Sequence, residues 1–421
     1  MGSSHASTAV IAEKYVTFGL ALPGAQRKRI FLYVDLSIFP RIQMGLSLAF
    51  HIIFASIGMT MPVLMALAEW RAWKHKDPVA KELNRAWAKG TAVFFAIGAV
   101  SGTVLAFELG LLFPKFMLKA GPTIGLPFAL EGFAFFTESI FLGIYLYGES
   151  KVSPSFHFLS GIVVAVSGLL SAIFVTCANA WMNTPGKDHP LAPFLSPALW
   201  HELPHSILAC FVAVGLAVAA IHARELLEKP HSTFHRLALR YALIVALPGM
   251  LLQPFIGHLA GQRVYQLQPQ KFAAIENLTV TEKGGLISFL ATNKWDSELK
   301  GLDQFPESPS PLVRPAFLLM IASGIFLFAF SLLLIFRWEK FDRSLLKAIM
   351  FSGPLGFLAL ESGWMVTEIG RQPWIIQGVM KTSEAIVAQP GLSLRPFFFA
   401  GLYLVLGIAT LQILRSYVRN E

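Results

Sequence analysis

Charged side chains are scarce in this chain. Asp, Glu, Lys and Arg make up 14% of its 421 residues, whereas 55% of the residues are hydrophobic. Soluble domains carry about 25% charged residues, so the composition excludes an ordinary soluble protein and indicates a polytopic membrane protein. Cysteine is rarer still, with only Cys177 and Cys210, both in apolar runs. Two such cysteines exclude a disulfide framework and a cysteine-rich metal motif, and they are read as small packed side chains.

Acidic residues are fewer than basic ones, which gives a formal net charge of +9. The basic side chains fall mostly between the apolar runs. That distribution is typical of membrane topology and of contact with anionic membrane lipid, and no nucleic-acid partner is expected. Residues 1–36 contain no clear signal peptide and are treated as an N-terminal extension.

Nine apolar runs approach the roughly 20 residues that a helix needs to cross a bilayer. Helices are the expected spanning elements, because backbone polar groups in lipid must be hydrogen-bonded within the segment. The runs are residues 42–68, 91–113, 125–147, 158–179, 205–222, 237–257, 315–336, 345–366 and 397–414. The sequence therefore predicts an all-α polytopic membrane protein, with helices 1–6 in 37–257, a polar connection in 258–314 and helices 7–9 in 315–421.

Lysine and arginine are concentrated in alternate loops, namely those that join predicted helices 1–2, 5–6 and 7–8. The excess of basic residues in cytoplasmic loops makes these loops the cytoplasmic ones. The polar connection 258–314 then lies on the outer side of the membrane. Long connections in compact proteins are often functional, so a binding role is expected for this one.

Several ionisable side chains lie inside the apolar runs, where they are costly and usually functional. His51 in helix 1 is either hydrogen-bonded between helices or a ligand of a metal or haem. The acids are Glu108 in helix 2, Glu131 and Glu138 in helix 3, and Glu361 and Glu368 in helix 8. Five buried acids cannot all stay ionised without partners. They are predicted to coordinate metal, pair with arginine or carry protons.

Helix 8 ends in the polar cluster "EIGRQPWIIQG", which begins at Glu368. Glu361, Trp364, Glu368 and Arg371 recur at i, i+3, i+7 and i+10, so they share one helix face. A simple interfacial anchor of Trp and Arg is the alternative interpretation.

A histidine and a methionine flank the long connection. His205 begins helix 5 in "LPHSILAC", and Met320 lies early in helix 7 in "AFLLMIASG". This pair of residue types can hold a haem iron from opposite faces, although a methionine in an apolar helix is more often core packing.

These segments together resemble subunit I of the cytochrome bd quinol oxidases. The matching stretches extend over nearly the whole chain and include "PRIQMGLSLAFH", "LEGFAFFTES", "ANAWMNTP", "LPHS", "QKFAAIE", "MIASG" and "ESGWMVTEIGRQPW". The "QKFAAIE" and "GRQPW" elements are specific to that family. The connection 258–314 matches its Q-loop in the short form.

The resemblance implies a role for each matching residue. His51 matches the ligand of haem d, and Glu368, with Trp364 beside it, matches the ligand of the high-spin haem b. His205 and Met320 match the ligands of the low-spin haem b. Lys271 and Glu276 in "QKFAAIE" match the pair associated with quinol oxidation. Glu131 and Glu138 match acids near the dihaem site on the proton route. Glu138 and Glu108 are candidate relays for protons from the cytoplasm, and Arg371 can neutralise a carboxylate or haem propionate.

Three departures from the family pattern stand out. Glu131 and Glu138 are seven residues apart, which places them two helical turns apart on one face. The family usually separates these acids by eight residues, so the alternative is that one of them faces differently. Leu318 replaces the arginine usual two residues before the axial methionine. Glu108 replaces a glutamine at the end of helix 2. These departures keep open a divergent member with a different haem set, electron donor or acceptor.

The resemblance implies a quinol:oxygen oxidoreductase in a bacterial or archaeal cytoplasmic membrane. Quinol would be oxidised at the outer face, and oxygen would be reduced to water at a high-spin dihaem site. A smaller subunit II is the expected partner, with a small single-helix accessory subunit as a further candidate. Two alternatives are a quinol-linked haem protein for electron transfer or sensing without oxygen reduction, and a transporter that uses the buried acids for proton coupling.

Overall fold

The computed structural model describes residues 15–21, 29–35, 37–387 and 394–419. Eight described helices have the length and hydropathy of membrane spans: α1 (Ile38–His75), α2 (Pro78–Leu112), α3 (Pro114–Tyr147), α4 (Pro154–Asn183), α5 (Leu199–Glu228), α6 (Thr233–Leu267), α9 (Val313–Phe336) and α10 (Arg343–Gly370). A further helix, α12 (Arg395–Arg419), is apolar over Arg395–Thr410. The prediction of an all-α polytopic membrane protein is confirmed. Eight of the nine predicted runs lie within one of these helices, and the run 91–113 extends one residue past the end of α2.

Polar side chains cap the starts of α4 and α10 outside the apolar runs. The Ser153 side chain accepts a hydrogen bond from the backbone of Phe156 at the start of α4, where Pro154 occupies the first turn. Asp342 accepts in the same way from Leu345 at the start of α10. Such caps satisfy backbone donors that have no partner inside the helix. Hydropathy therefore located the middle of each span, and at these two helix starts local capping fixed the limit.

Two strands, β1 (Tyr15–Ala21) and β2 (Arg29–Asp35), pair antiparallel within the predicted N-terminal extension. The rest of that extension lies outside the described residues. The contacts divide the chain into two units. The first contains Met1–His51, Ala99–Lys119 and Ser383–Glu421, and the second contains Ile52–Gly98 and Ala120–Thr382. In the first unit, Tyr403 of α12 donates a hydrogen bond to Ser47 of α1 at 2.7 Å and stacks on Phe50.

In the second unit, α5, α6, α9 and α10 form a bundle in which α5 and α9 each pack against both α6 and α10. Glycines allow the close approach. A Cβ on Gly356 of α10 would lie 2.6 Å from Cα of Ala213 on α5, and one on Gly249 of α6 would lie 2.6 Å from Cγ2 of Val212. Small residues at helix interfaces permit dense packing without a hydrophobic driving force from water. This bundle carries His205 and Met320.

The predicted polar connection 258–314 is more structured than the sequence indicates. Helix α6 continues to Leu267, and it is followed by α7 (Pro269–Glu276), β3 (Glu282–Lys283), α8 (Leu286–Thr292) and β4 (Glu298–Leu299). Strands β3 and β4 pair antiparallel. A core of Phe272, Ile275, Leu278 and Leu299 packs this segment against the start of α9 and the end of α10. Helix α7 is thereby held on the bundle.

A buried polar network links the ends of α1, α2, α3 and α4. The Nδ1 atom of His157 lies 2.5 Å from Oε1 of Glu69, and Asn84 donates to the other carboxylate oxygen at 3.2 Å. Tyr145 donates to Asn84 at 2.8 Å, and Nε2 of His157 donates to the backbone carbonyl of Tyr145 at 2.8 Å. All four side chains are buried. Sequence reasoning did not single out these residues.

Candidate functional site

Glu368 lies in the last turn of α10, and neutral and cationic donors hold both of its carboxylate oxygens. Asn179 of α4 donates to Oε1 at 2.5 Å, and Arg371 donates to Oε2 at 2.8 Å. The Glu368 side chain is 30% exposed, whereas that of Arg371 is 2% exposed. The pairing of Glu368 with arginine, one of the three options that the sequence left open, is present in the structure. The partial exposure leaves the carboxylate accessible to a further group.

Arg371 is buried beyond the end of α10 and is bonded on two sides. Besides the bond to Glu368, its Nη1 donates to Oδ1 of Asn183 at 2.9 Å. Its third nitrogen, Nε, is buried without a partner among the described residues. Leaving a buried guanidinium N–H without an acceptor costs free energy. A hydrogen bond from Nε to an acceptor such as a carboxylate oxygen would remove that cost. A simple interfacial anchor would place the guanidinium in the membrane surface rather than inside the protein.

Asn183 is fully buried and connects four parts of the chain. Its side chain donates to Glu202 of α5 at 2.7 Å and to Asn179 at 2.9 Å, while its Oδ1 accepts from Arg371. Its backbone carbonyl accepts from Gln268, the residue between α6 and α7, at 3.0 Å. Sequence reasoning missed Asn179, Asn183 and Glu202 as site residues. The two asparagines stand in the "ANAWMNTP" stretch, whose polar spacing of four could have identified them.

Lys271 lies in α7, and its side chain is buried instead of being exposed on a polar loop. A Cβ on Gly370 would lie 2.8 Å from Cε of Lys271, so the lysine stem packs directly on the end of α10. Lys271 therefore lies close to the end of α10, which carries the candidate haem ligand Glu368. Burial lowers the pKa of the Lys271 ammonium, and the nearby charge of Glu202 offsets part of that effect.

Glu276 is the last residue of α7 and is half-buried. Burial raises the pKa of its carboxyl group above the ordinary value, and the positive charge of Arg314 at the start of α9 opposes that rise. A carboxylate whose pKa is raised is a stronger base than an ordinary one. Helix α7 therefore presents an amine and a carboxyl group of suitable chemistry for a hydroxyl-bearing substrate.

His205 and Met320 lie on α5 and α9, the two bundle helices that both pack against α6 and α10. The Nδ1 atom of His205 is buried and has no hydrogen-bond partner in the described chain. A Cβ on Gly257 of α6 would lie 3.5 Å from Cε1 of His205, and one on Gly363 of α10 would lie 3.2 Å from Sδ of Met320. Glycines on α6 and α10 thus leave space beside both candidate ligands.

Leu318, which stands where the family usually has an arginine, faces outward from α9. The side chain of Leu318 is 51% exposed on α9. In a membrane span such exposure places an apolar side chain against lipid.

Trp364 is half-buried one turn before Glu368, and Oε1 of Glu361 is buried without a partner in the described chain.

Glu131 and Glu138 both lie against α4. Ser171 donates to Oε1 of Glu131 at 3.1 Å, and Oε1 of Glu138 lies 3.6 Å from the position of a Cβ on Gly168. A Cβ on Gly58 of α1 would also lie 3.9 Å from that oxygen. The two acids therefore share one face of α3, as their seven-residue spacing predicts. The alternative that one of them faces elsewhere is not what the structure shows.

His51 lies in the first unit, on the half of α1 that packs with α2. Its Nδ1 is 3.0 Å from Oγ of Ser101, and a Cβ on Gly102 would lie 2.9 Å from Cε1. The hydroxyl fixes the ring orientation, and the glycine is needed because any side chain there would collide with the imidazole. A ring held through one nitrogen is the usual state of a metal-binding histidine.

Glu108 lies four residues before the end of α2, further along this helix than Ser101. Its carboxyl group is buried, and Gln43 donates to Oε1 at 2.8 Å. A proton that entered at the α1–α2 loop would pass the level of His51 before it reached Glu108. The role of Glu108 as a relay for cytoplasmic protons stays a prediction, and its position near the far end of α2 does not favour that role.

The family model described as cytochrome bd terminal oxidase subunit I matches residues 39–286 and 283–421. The putative cytochrome bd menaquinol oxidase subunit I of Bacillus subtilis (strain 168) is 30% identical, over 92% of this chain and 98% of the relative. The cytochrome bd ubiquinol oxidase subunit 1 of the same organism is 26% identical, over 88% of this chain and 91% of the relative. The bd oxidase structure from Geobacillus thermodenitrificans superposes with a TM-score of 0.86 at 32% identity, over 92% of this chain and 99% of that one. This chain belongs to the cytochrome bd terminal oxidase subunit I family and is a multi-pass subunit of a membrane quinol oxidase.

Proposed function

We propose that this chain is the haem-bearing subunit that oxidises quinol at the outer membrane face and supports oxygen reduction at a high-spin dihaem site. The observation that carries the proposal is the buried network in which Arg371, Asn183 and Glu202 join Glu368 to the segment that carries Lys271. This network supports the proposal because Lys271, which is implied in quinol oxidation, lies close to the end of α10, where Glu368 is implied to bind iron.

The residues present fit the haems that the family implies. His205 has an unpartnered buried ring nitrogen, and the glycines at 257 and 363 leave room beside His205 and Met320. These two residues would hold the low-spin haem b. Glu368, beside Trp364, would hold the high-spin haem b, and His51 would hold haem d. The haems supply one-electron transfer and oxygen activation when bound.

Polar atoms at the same end of α4 suit the propionate groups of a haem. Arg371 Nε and Trp181 Nε1 are buried donors with no partner in the described part of the chain. Both can donate to a carboxylate, and the arginine charge also balances it. Arg371 would therefore fix the carboxylate of Glu368 on one side and neutralise a propionate on the other.

Quinol oxidation requires a group that positions the hydroxyl and one that accepts its proton. Lys271 would donate a hydrogen bond to a quinol oxygen, and Glu276 would take the hydroxyl proton as a general base. Because Lys271 packs on Gly370 and lies near the charges of Glu202 and Glu368, a change at the quinol site is transmitted to the end of α10.

Oxygen reduction consumes protons, and the acids on α3 are suited to deliver them. Glu131 and Glu138 lie two helical turns apart on the face of α3 that packs on α4. Glu138 is buried beside glycines 58 and 168, where α1 and α4 pack closely around its carboxyl group. These acids would hold and move protons toward the high-spin site.

Purified oxidase, expressed with a smaller subunit II, tests the proposal. A reduced-minus-oxidised visible spectrum with haem extraction should show low-spin and high-spin haem b and the red-shifted band of a chlorin. Oxygen consumption with a quinol as donor should accompany it. A protein with haem b but no chlorin band and no oxygen uptake would be the electron-transfer or sensor alternative, and a haem-free protein would be the transporter alternative.

A further inference from the structure

A cavity of about 420 Å³ lies beside the last two turns of α2, within the first unit. Its wall includes the apolar side chains of Val104, Phe107 and Phe399 and the polar side chains of Gln43, Glu108 and Arg395. That volume is in the range of pockets that bind small organic molecules, and a mostly apolar wall with a few polar groups is typical of them.

Two buried acceptor atoms in this wall have no donor. Gln43 and Glu108 are 2% and 3% exposed, and Gln43 Nε2 donates to Oε1 of Glu108. The remaining oxygens, Oε1 of Gln43 and Oε2 of Glu108, have no hydrogen-bond partner in the described chain. The Ser47 hydroxyl near Glu108 accepts from Tyr403 and is not within hydrogen-bonding geometry of Oε2. Buried acceptors without donors are rare and costly.

The hydrogen-bond acceptors and aromatic side chains in the cavity wall indicate which class of ligand can bind there. Adjacent oxygen acceptors favour a molecule that brings hydroxyl donors, and they repel the oxygens of a phosphate or carboxylate head. Phe107 and Phe399 supply aromatic surface for a ring. Phe107 and Leu111 are 67% and 61% exposed on α2, so an apolar tail can leave the cavity along the lipid-facing side of that helix.

We propose that this cavity is a second quinol-binding site, in which Glu108 and Gln43 accept hydrogen bonds from the hydroxyl group of the quinol head. The site is built from residues other than Lys271 and Glu276 and does not depend on their proposed role. In this site Glu108 would bind the quinol head, a role that fits its position near the end of α2.

The test is photolabelling of the purified oxidase with a reduced azido-quinone that carries a decyl tail, followed by peptide mapping. Label is expected on peptides from 104–112 and 395–399, and it should be competed by the unmodified decyl-quinol. Val104→Trp fills the cavity and should reduce labelling roughly tenfold, with haem content unchanged. Leu118→Trp is the matched control, because Leu118 is 81% exposed and is not among the cavity residues.

A second variant separates the two sites. Gln43→Leu removes one acceptor and should also reduce labelling of 104–112, while Lys271→Ala should leave that labelling intact. The proposal is overturned if the wild-type peptides carry no competable label, if a phospholipid but no quinol competes for the label, or if labelling of 104–112 persists in Val104→Trp and is lost in Lys271→Ala.

Discussion

Arg371 donates a hydrogen bond to Glu368 across 2.8 Å while its own guanidinium is almost fully buried. The arginine is also bonded to Asn183, so its position does not depend on the glutamate alone. The carboxylate is therefore oriented by a fixed cation, and its more exposed side is left for another group. This relationship explains why a polar, stiff cluster ends an otherwise apolar helix.

Glu368→Gln should disturb the high-spin haems and abolish oxygen reduction while the low-spin haem still accepts electrons from quinol. The amide keeps the shape but removes the anionic oxygen and leaves Arg371 uncompensated, and breaking a buried pair costs roughly 3–5 kcal/mol. Haem per protein must be counted before activity is compared. Full haem content with an unaltered high-spin spectrum and normal oxygen uptake would show that Glu368 is not a ligand.

His205→Ala and Met320→Leu should each remove the low-spin haem signal and leave the high-spin signals largely present. A six-coordinate iron needs both ligands, and the other proposed ligands lie on different helices. Visible spectra of reduced protein measure this directly. A normal low-spin spectrum in either variant would exclude that residue as a ligand.

Gly363→Val should lower the midpoint potential of the low-spin haem. A Cβ at this position would already lie 3.2 Å from Sδ of Met320, so the branched side chain displaces the sulfur, and methionine ligation is what raises such potentials. Gly324→Val on α9 is the control, since a Cβ there meets no atom within 4 Å. Equal potentials in both variants would contradict the placement of Met320 beside the iron.

Lys271→Ala should lower quinol turnover and also alter the high-spin spectrum, because the lysine stem packs on Gly370 at the end of α10. Glu276→Ala should lower turnover about 100- to 10,000-fold, the usual contribution of a positioned base. Lys300→Ala, at an exposed position, is the control for loss of a positive charge. Unchanged quinol kinetics in both site variants would place the donor site elsewhere.

Arg314→Leu should move the acid limb of the pH profile for quinol turnover to higher pH. The charge of Arg314 holds the pKa of Glu276 down against the effect of burial. Removing that charge raises the pKa further, so Glu276 is protonated, and unable to act as a base, up to a higher pH. An unmoved acid limb would show that Glu276 is not the group that titrates.

His157→Ala should lower the thermal stability of the complex, since it leaves Glu69 buried without its partner at 2.5 Å. Loss of one member of a buried ion pair costs about 3–5 kcal/mol. Tyr145→Phe removes a single hydrogen bond to Asn84 and should cost about 1–3 kcal/mol. Thermal melting in detergent ranks the two, and an equal effect would contradict the central place of the Glu69–His157 contact.

The sequence by itself determined the class of this protein and the middle of each spanning helix. Scarce charge and long apolar runs leave few alternatives, because unbonded backbone groups are too costly in lipid. The ionisable residues inside the apolar runs were also conspicuous in the sequence. The roles of His51, His205, Met320 and Glu368 as haem ligands came from the resemblance and stay predictions. Helix periodicity was sufficient to place Glu131 and Glu138 on one face.

Only the tertiary structure decided which side chains meet. The sequence does not show that Asn179, Asn183 and Glu202 join Glu368 and Arg371, which they do because three helix ends converge there. Lys271 looked exposed in a polar segment, but packing of α7 on α10 buried it. The two unpaired acceptors of Gln43 and Glu108 appear only when α1 and α2 are packed together. Contacts between residues far apart in the chain depend on packing geometry, which hydropathy and local spacing do not encode.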